Sequence, residues 1–414
     1  MLEIDADRLR DTFADYSAIG ATDRGGLHRL ALSDEDKAVR DRFRDDVEAL
    51  GLAVRVDELG NMFARRDGTD PDAAPVLVGS HLDSQPSGGR YDGQLGVLCA
   101  LETLRALDDA GVETRRPVEI VNWTNEEGAR FEHAMLGSGV FTDVVSTEEA
   151  LAITDDDGVS VGEALERIGY AGDAPCEAHD VHAHLELHIE QGPTLEEHGT
   201  SIGIVEGVYG MSWLGVTIDG EADHAGPTPM HTRTDALDAA TEAIGKIQKL
   251  PMRLSEDAVS TVGRISVEPD AINVIPTRAT FTADVRSYDD DVVERGVDAI
   301  RFEVDAACER IGASSEVDEI WRIPHTEFSE SVCSTVETVA AELDVSAERI
   351  VSGAGHDAKY LSDIAETAMI FVPSEDGKTH NEDEFTPWED VVRGAAVFAN
   401  TTLRLSSEQP DKIR

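Results

Sequence analysis

Apolar and polar positions alternate along this chain in short runs, several of which end in turns that carry histidine or acidic residues. Val76-Leu77-Val78-Gly79 reads as a short buried strand running into a glycine-rich turn, Ser80 to Gly96. Val118 to Thr124 is rich in β-formers and opens onto Asn125-Glu126-Glu127-Gly128. In His184-Leu185-Glu186-Leu187-His188-Ile189-Glu190 the alternation places residues 184, 186, 188 and 190 on one strand face, which ends at Gly192-Pro193. A fourth apolar run, Thr367 to Val372, is followed by a glycine-containing loop that reaches His380. After Gly93, Leu95, Leu98, Leu101 and Leu104 recur at helical spacing until Gly111. Strands alternating with amphipathic helices predict an α/β fold, a mixed sheet covered by helices.

Residues 211–324 follow a different rhythm. They predict a strand (Trp213 to Ile218), a helix (Thr234 to Lys249), strands at Val259 to Val267 and Ala279 to Ser287, a helix (Asp291 to Ile311) and a strand (Ser315 to Ile323). That βαββαβ order is ferredoxin-like and complete in itself. The expected organisation is a catalytic domain in two parts, 1–210 and 325–414, with 211–324 inserted as a lid.

The chemistry gathers at strand ends. His81 and Asp83, two apart in extended chain, share a face at the carboxyl end of their strand, where open α/β sheets place ligand crevices. A His-x-Asp pair alone equally describes a solvated loop; here His81 is read as a metal ligand and Asp83 as the group that orients its ring. Gly88, Gly89 and Gly93 allow a tight return that brings Asp92 towards His81. Of the adjacent Glu126 and Glu127, one can bind a cation while the other, its pKa raised by its neighbour, serves as a general base. His188, nearest its strand's carboxyl end, is the better ligand candidate; His179, His182 and His184 read as surface residues. His81, Asp92, Glu127, His188 and His380 together make two metal sites sharing one carboxylate, with mixed nitrogen and oxygen donors suited to zinc, manganese, cobalt or nickel. All five lie outside the inserted segment.

The motifs Ser80-His81-Leu82-Asp83-Ser84, Gly89-Arg90-Tyr91-Asp92-Gly93, Glu126 to Phe131, Leu187 to Pro193, Ala222 to Met230, Asn273-Val274-Ile275-Pro276 and Gly353 to Ala358 stand in one order across nearly the whole chain. In this the sequence resembles the N-carbamoyl-L-amino-acid hydrolase and allantoate amidohydrolase branch of the dinuclear M20 metallopeptidase superfamily. The resemblance implies His81 and His188 on one divalent ion, Glu127 and His380 on the other, Asp92 between them, and Glu126 as general base. It also implies that His224 donates to the developing oxyanion, that Asn273 and Arg286 hold the substrate carboxylate, and that Gln191 meets the ureido group. Gly355 and His356 are expected to line the same pocket. An imidazole at His188, where aminopeptidase-like relatives carry a carboxylate, favours the ureido-hydrolysing branch. Thr379 and Glu382 depart from the serine and proline expected on either side of His380. The implied reaction is hydrolysis of a carbamoyl C–N bond by a homodimer joined through the lid. Allantoate amidohydrolase, or an aminoacylase or dipeptidase of the superfamily, are the alternatives.

Composition changes the setting. Acidic residues outnumber basic ones 84 to 35, a net charge of -49, yet 41% of the 414 residues are hydrophobic, enough for a large core. The charge is spread throughout, which reads as adaptation to a high-salt cytoplasm and excludes nucleic acid as a partner. No stretch is long and apolar enough for a membrane span, and the first residues lack signal-peptide features, so a cytoplasmic location is expected. Cys99, Cys176, Cys308 and Cys333 show no paired spacing and read as reduced thiols.

Overall fold

The computed structural model of the protein describes residues 1–407. These form two compact units, Met1–Glu206 with the chain from Glu327 onward, and Gly207–Thr326. In chain order the strands are β1 (Val54–Val56), β2 (Met62–Arg66), β3 (Val76–His81), β4 (Val118–Trp123), β5 (Ala183–Ile189) and β6 (Ile202–Val208). The inserted segment holds β7 (Gly210–Asp219), β8 (Val259–Thr261), β9 (Ile265–Glu268), β10 (Arg278–Ser287) and β11 (Ser314–Ile323). After it come β12 (Thr326–Glu327), β13 (Ala347–Ser352) and β14 (Glu366–Val372).

The larger sheet runs β1-β2-β4-β3-β5-β14-β6-β12, with β13 on β6. Its centre is parallel, β4 with β3, β3 with β5 and β5 with β14, while β2 and β6 pair antiparallel on either side. Strands β3, β4 and β5 are buried at every position, as parallel strands covered on both faces must be. Helices Gln94–Asp109 and Trp388–Ser407 lie together against β3 and β5. The periodic leucines of the first are all buried, as is Cys99, and the helix gives way at Gly111, which has a left-handed φ of 60°. All four cysteines are free and buried.

The smaller unit is an antiparallel sheet in the order β11-β7-β10-β8, with β9 also on β10. Two helices, Ala236–Ile247 and Asp290–Ile311, pack on one face of it. Leu214, Val216 and Ile218 of β7 and Phe281 and Val285 of β10 point into this core beside Ile300 and Val304. The single strand expected over Val259–Val267 is broken. β8 pairs with Asp284–Arg286 and β9 with Arg278–Phe281, so three residues, 262–264, stand opposite two of β10. This is a bulge, and Gly263 at its centre weakens the strand there.

His184 corrects another expectation. It is fully buried on β5, level with Leu77 and Thr367, and both its ring nitrogens lack partners. It reads as a surface residue in the sequence, but both faces of a central parallel strand are covered. Burial pushes its pKa from about 6.5 down to about 3, so the unfolded chain binds a proton that the folded chain refuses. Its contribution to stability is therefore complete above pH 6.5. It is lost as pH falls from 6.5 towards 3, at about 1.4 kcal/mol per pH unit. Thermal unfolding of metal-free wild type and His184→Leu in molar KCl tests this: the variant should lose less stability over that interval, and equal acid sensitivity would contradict it.

Candidate metal centre

Because β4, β3, β5 and β14 are parallel neighbours, their carboxyl ends open along one edge of the sheet. His81 closes β3 level with Trp123, the last residue of β4, and His188 stands on β5 level with Phe371 of β14. Two residues past β4 the chain turns at Asn125, whose left-handed φ of 56° suits asparagine and whose amide donates to the Phe131 and His133 carbonyls. That turn presents Glu126 and Glu127. His380 follows β14 through the loop that starts at Pro373.

Asp92 arrives from the turn between β3 and the helix Gln94–Asp109. A Cβ on Gly93 would lie 2.3 Å from the His81 ring, and its φ is 63°, so only glycine lets the chain pass this close. Asp92 Oδ1 then lies 3.1 Å from His188 Nε2 and 3.6 Å from His81 Nε2. Its other oxygen, Oδ2, is 3.5 Å from His380 Nε2, which is in turn 3.4 Å from Glu127 Oε2. The donors fall into two groups that share Asp92, namely His81, Asp92 and His188, and Asp92, Glu127 and His380. Glu126 Oε2 stands 3.5 Å from His81 Nε2.

Two backbone carbonyls set the ring tautomers. His81 Nδ1 is 3.0 Å from the Asp83 carbonyl and His188 Nδ1 is 3.0 Å from the Ile189 carbonyl, so each Nδ1–H donates there and leaves Nε2 as an acceptor on the side of Asp92, where that of His188 also takes the Gly93 backbone N–H at 3.1 Å. Nitrogen and carboxylate acceptors brought this close favour a proton or a cation between them. This set of imidazole and carboxylate donors therefore fits divalent ions. It also revises the role expected of Asp83. The carboxylate stands off from the ring at 3.9 Å, and the ring is oriented by the main-chain carbonyl. Instead the Asp83 carboxylate accepts the backbone N–H groups of Glu126 and Glu127, both at 3.3 Å, and so holds the acidic turn in place.

Electrostatics follow from burial. Glu126 and Glu127 are pushed well above the usual carboxylate range, by desolvation first and then by neighbouring acids: Asp357 for Glu126, Asp92 for Glu127. Desolvation would raise Asp92 too, but the imidazoles of His188 and His81 set against its oxygens hold it well below that range. Sequence reasoning missed three further buried acids. Glu186 takes the Ser80 hydroxyl at 2.7 Å, Asp357 takes that of Ser138, and Glu384 accepts the N–H groups of Tyr91 and Asp92, its pKa pushed up to about 8 by burial. It also missed two wholly buried arginines. Arg29 donates to the Leu82 carbonyl and Gln94, and Arg40 to Asp36, Gly60 and Thr124. Glu186 was legible two residues before His188 on one face, and Asp357 beside His356, whereas nothing near Arg29 or Arg40 announces a site.

The remaining candidates divide between the units. In the larger one, Gln191 donates through Nε2 to Asp92 Oδ2 at 2.9 Å and to Thr379 Oγ1 at 3.0 Å, leaving its Oε1 buried and unpartnered. Thr379 itself reaches Asp92 Oδ2 at 3.3 Å, so the departure from serine keeps the hydroxyl. Gly355 lies against Met135. His356 was expected to line a pocket; it is instead closed from solvent, its ring 4.6 Å from that of His188 and 5.6 Å from that of Phe371, with Nε2 on Ser352. In the smaller unit His224 and Asn273 are exposed neighbours 3.5 Å apart, and Arg286 pairs with Asp284 at 2.8 Å.

Known proteins share this architecture. The chain is 41% identical to an N-carbamoyl-L-amino-acid amidohydrolase of Rhizobium meliloti over 97% of its own length and 96% of that protein's. It is 33% identical to an allantoate amidohydrolase of Bacillus subtilis over 96% and 98%. A crystal structure of an amidase of the hydantoinase/carbamoylase family from Burkholderia multivorans superposes with a TM-score of 0.94 at 44% identity, covering 99% and 100% of the two chains. The model of peptidase family M20/M25/M40 matches residues 77–404, from β3 to the last helix and through every strand end described above, and the chain belongs to that family.

Proposed function

We propose that this chain hydrolyses the carbamoyl C–N bond of N-carbamoyl-L-amino acids, giving the amino acid, ammonia and carbon dioxide. The observation that carries this reading is the nitrogen-rich first group, in which His81 and His188 both turn Nε2 to one oxygen of Asp92. In this reading His81, His188 and Asp92 hold one divalent ion, and Asp92, Glu127 and His380 a second. When bound, such a pair makes water acidic and stabilises negative charge on a carbonyl oxygen.

The chain's own residues move the proton and hold the substrate. Glu126, its affinity for a proton raised above that of an ordinary carboxylate by burial, takes a proton from water and returns it to the departing nitrogen. Gln191, its Nε2 already committed to Asp92, offers the free Oε1 to a ureido N–H. From the smaller unit, Arg286 and Asn273 are assigned to the substrate carboxylate and His224 to the oxyanion, with Gly355 of the larger unit beside the reacting group. Zinc, manganese, cobalt or nickel would suit the donors. A homodimer joined through residues 211–324, working in a salt-rich cytoplasm, completes the proposal. Among the described residues no helix is long and apolar enough to cross a membrane.

Glu126→Gln should keep both ions and lower kcat by about 10²–10⁴-fold, measured in molar KCl with metal content checked in parallel. Unchanged turnover would remove Glu126 from the reaction. Chelation should abolish turnover, and one of the four metals should restore it; full activity in the chelated protein would refute the metal-dependent reading. The 33% identical allantoate amidohydrolase supports a second reading. Product analysis separates the two: amino acid released from N-carbamoyl-L-amino acids supports the first, ammonia from allantoate alone the second, and turnover only of N-acetyl amino acids or dipeptides would exclude both.

A further inference from the structure

We propose that Glu384 is the positioning residue that builds the ion site formed by Asp92, Glu127 and His380, by pinning the turn that carries Asp92 to the loop that carries His380. The inference rests on the two-ion reading above. His380 is weakly fixed by its own surroundings. Its side chain is 49% exposed, its backbone is left-handed at a φ of 52°, and ten residues separate it from the middle of β14. The loop from 373 to 386 is closed on itself by Glu375 N–H to the Phe385 carbonyl and by the Thr386 hydroxyl to the Pro373 carbonyl.

Glu384 fastens this loop to the turn before the helix. One oxygen, Oε1, accepts the backbone N–H of Tyr91 at 3.0 Å and that of Asp92 at 3.2 Å, while Oε2 is buried and unpartnered. The carboxylate is seated against Gly89: a Cβ there would lie 1.9 Å from it, so the turn has room for this group only because residue 89 has no side chain. Two of the three ligands of the second group, Asp92 and His380, are thus tied together by Glu384, four residues after His380 and hydrogen-bonded to the main chain of Asp92, in addition to the side-chain bonds that Thr379 and Gln191 make to Asp92 Oδ2. His81 and His188, by contrast, are held by strands and do not need it. Groups that orient metal ligands from behind are worth about 10–100-fold in affinity.

Titrating the metal-free chain with Mn²⁺ by calorimetry in molar KCl tests this, with His380→Ala marking the phase that belongs to the second ion. Glu384→Ala should weaken the second ion at least about tenfold more than the first. Gly89→Ala, which displaces the carboxylate without removing it, should do the same and decides the matter if the first variant does not fold. Glu384→Gln keeps an oxygen for both N–H groups and should remain within about threefold of wild type, which a residue ligating the ion directly would not. Glu384→Ala or Gly89→Ala weakening both ions equally or neither, or Glu384→Gln failing as badly as Glu384→Ala, would overturn the inference alone. A wild type that binds one ion would overturn the two-ion reading and this inference with it.

Discussion

Parallel pairing of β4, β3, β5 and β14 is the constraint on which the rest of the larger unit depends. Parallel strands all point the same way, so their carboxyl ends fall on one edge and whatever follows them is brought together from distant parts of the sequence. His81, the Glu126-Glu127 turn, His188 and the His380 loop are adjacent for this reason. The same pairing buries both faces of the central strands, so the imidazoles sit among dry neighbours with their tautomers set by backbone carbonyls. Asp92 completes the set because Gly93 lets the next helix begin in contact with the His81 ring.

Such a centre is costly in charge. Asp83, Asp92, Glu126, Glu186, Asp357 and Glu384 are all buried within one region. Arg29 and Arg40 supply buried positive charge near Asp83, but neither forms an ion pair with these six. Desolvation raises Glu126, Glu127, Glu186, Asp357 and Glu384, which means the buried cluster resists holding so much negative charge without cations. Divalent ions would therefore serve the fold as well as the reaction, an arrangement in which metal binding and local order are linked.

The five candidate ligand positions were legible because each lies near the end of an apolar run or in the turn after it, and runs of β-formers announce their ends through glycine, asparagine and proline. The strand order of the smaller unit was legible for the same reason. What sequence could not carry was solvent exposure and backbone partnership. His184 reads as a surface residue in the sequence, whereas the pairing of β5 with β3 and β14 leaves it dry. Asp83 was read as holding His81 through its carboxylate, whereas its main-chain carbonyl does so and the carboxylate reaches across to the Glu126 turn. His356 and Glu384 act on neighbours hundreds of residues away or folded beneath them, so spacing gave no signal of what they touch.

In the proposed centre one carboxylate, Asp92, joins two ion sites built at four strand ends. Anomalous scattering from crystals grown with Mn²⁺ tests it most directly. Two peaks about 3.5–4 Å apart are expected, one against His81 and His188 and the other against Glu127 and His380, with Asp92 between. A single peak, or one lodged among Glu186, His188 and His356, the other buried group able to hold an ion, would contradict it.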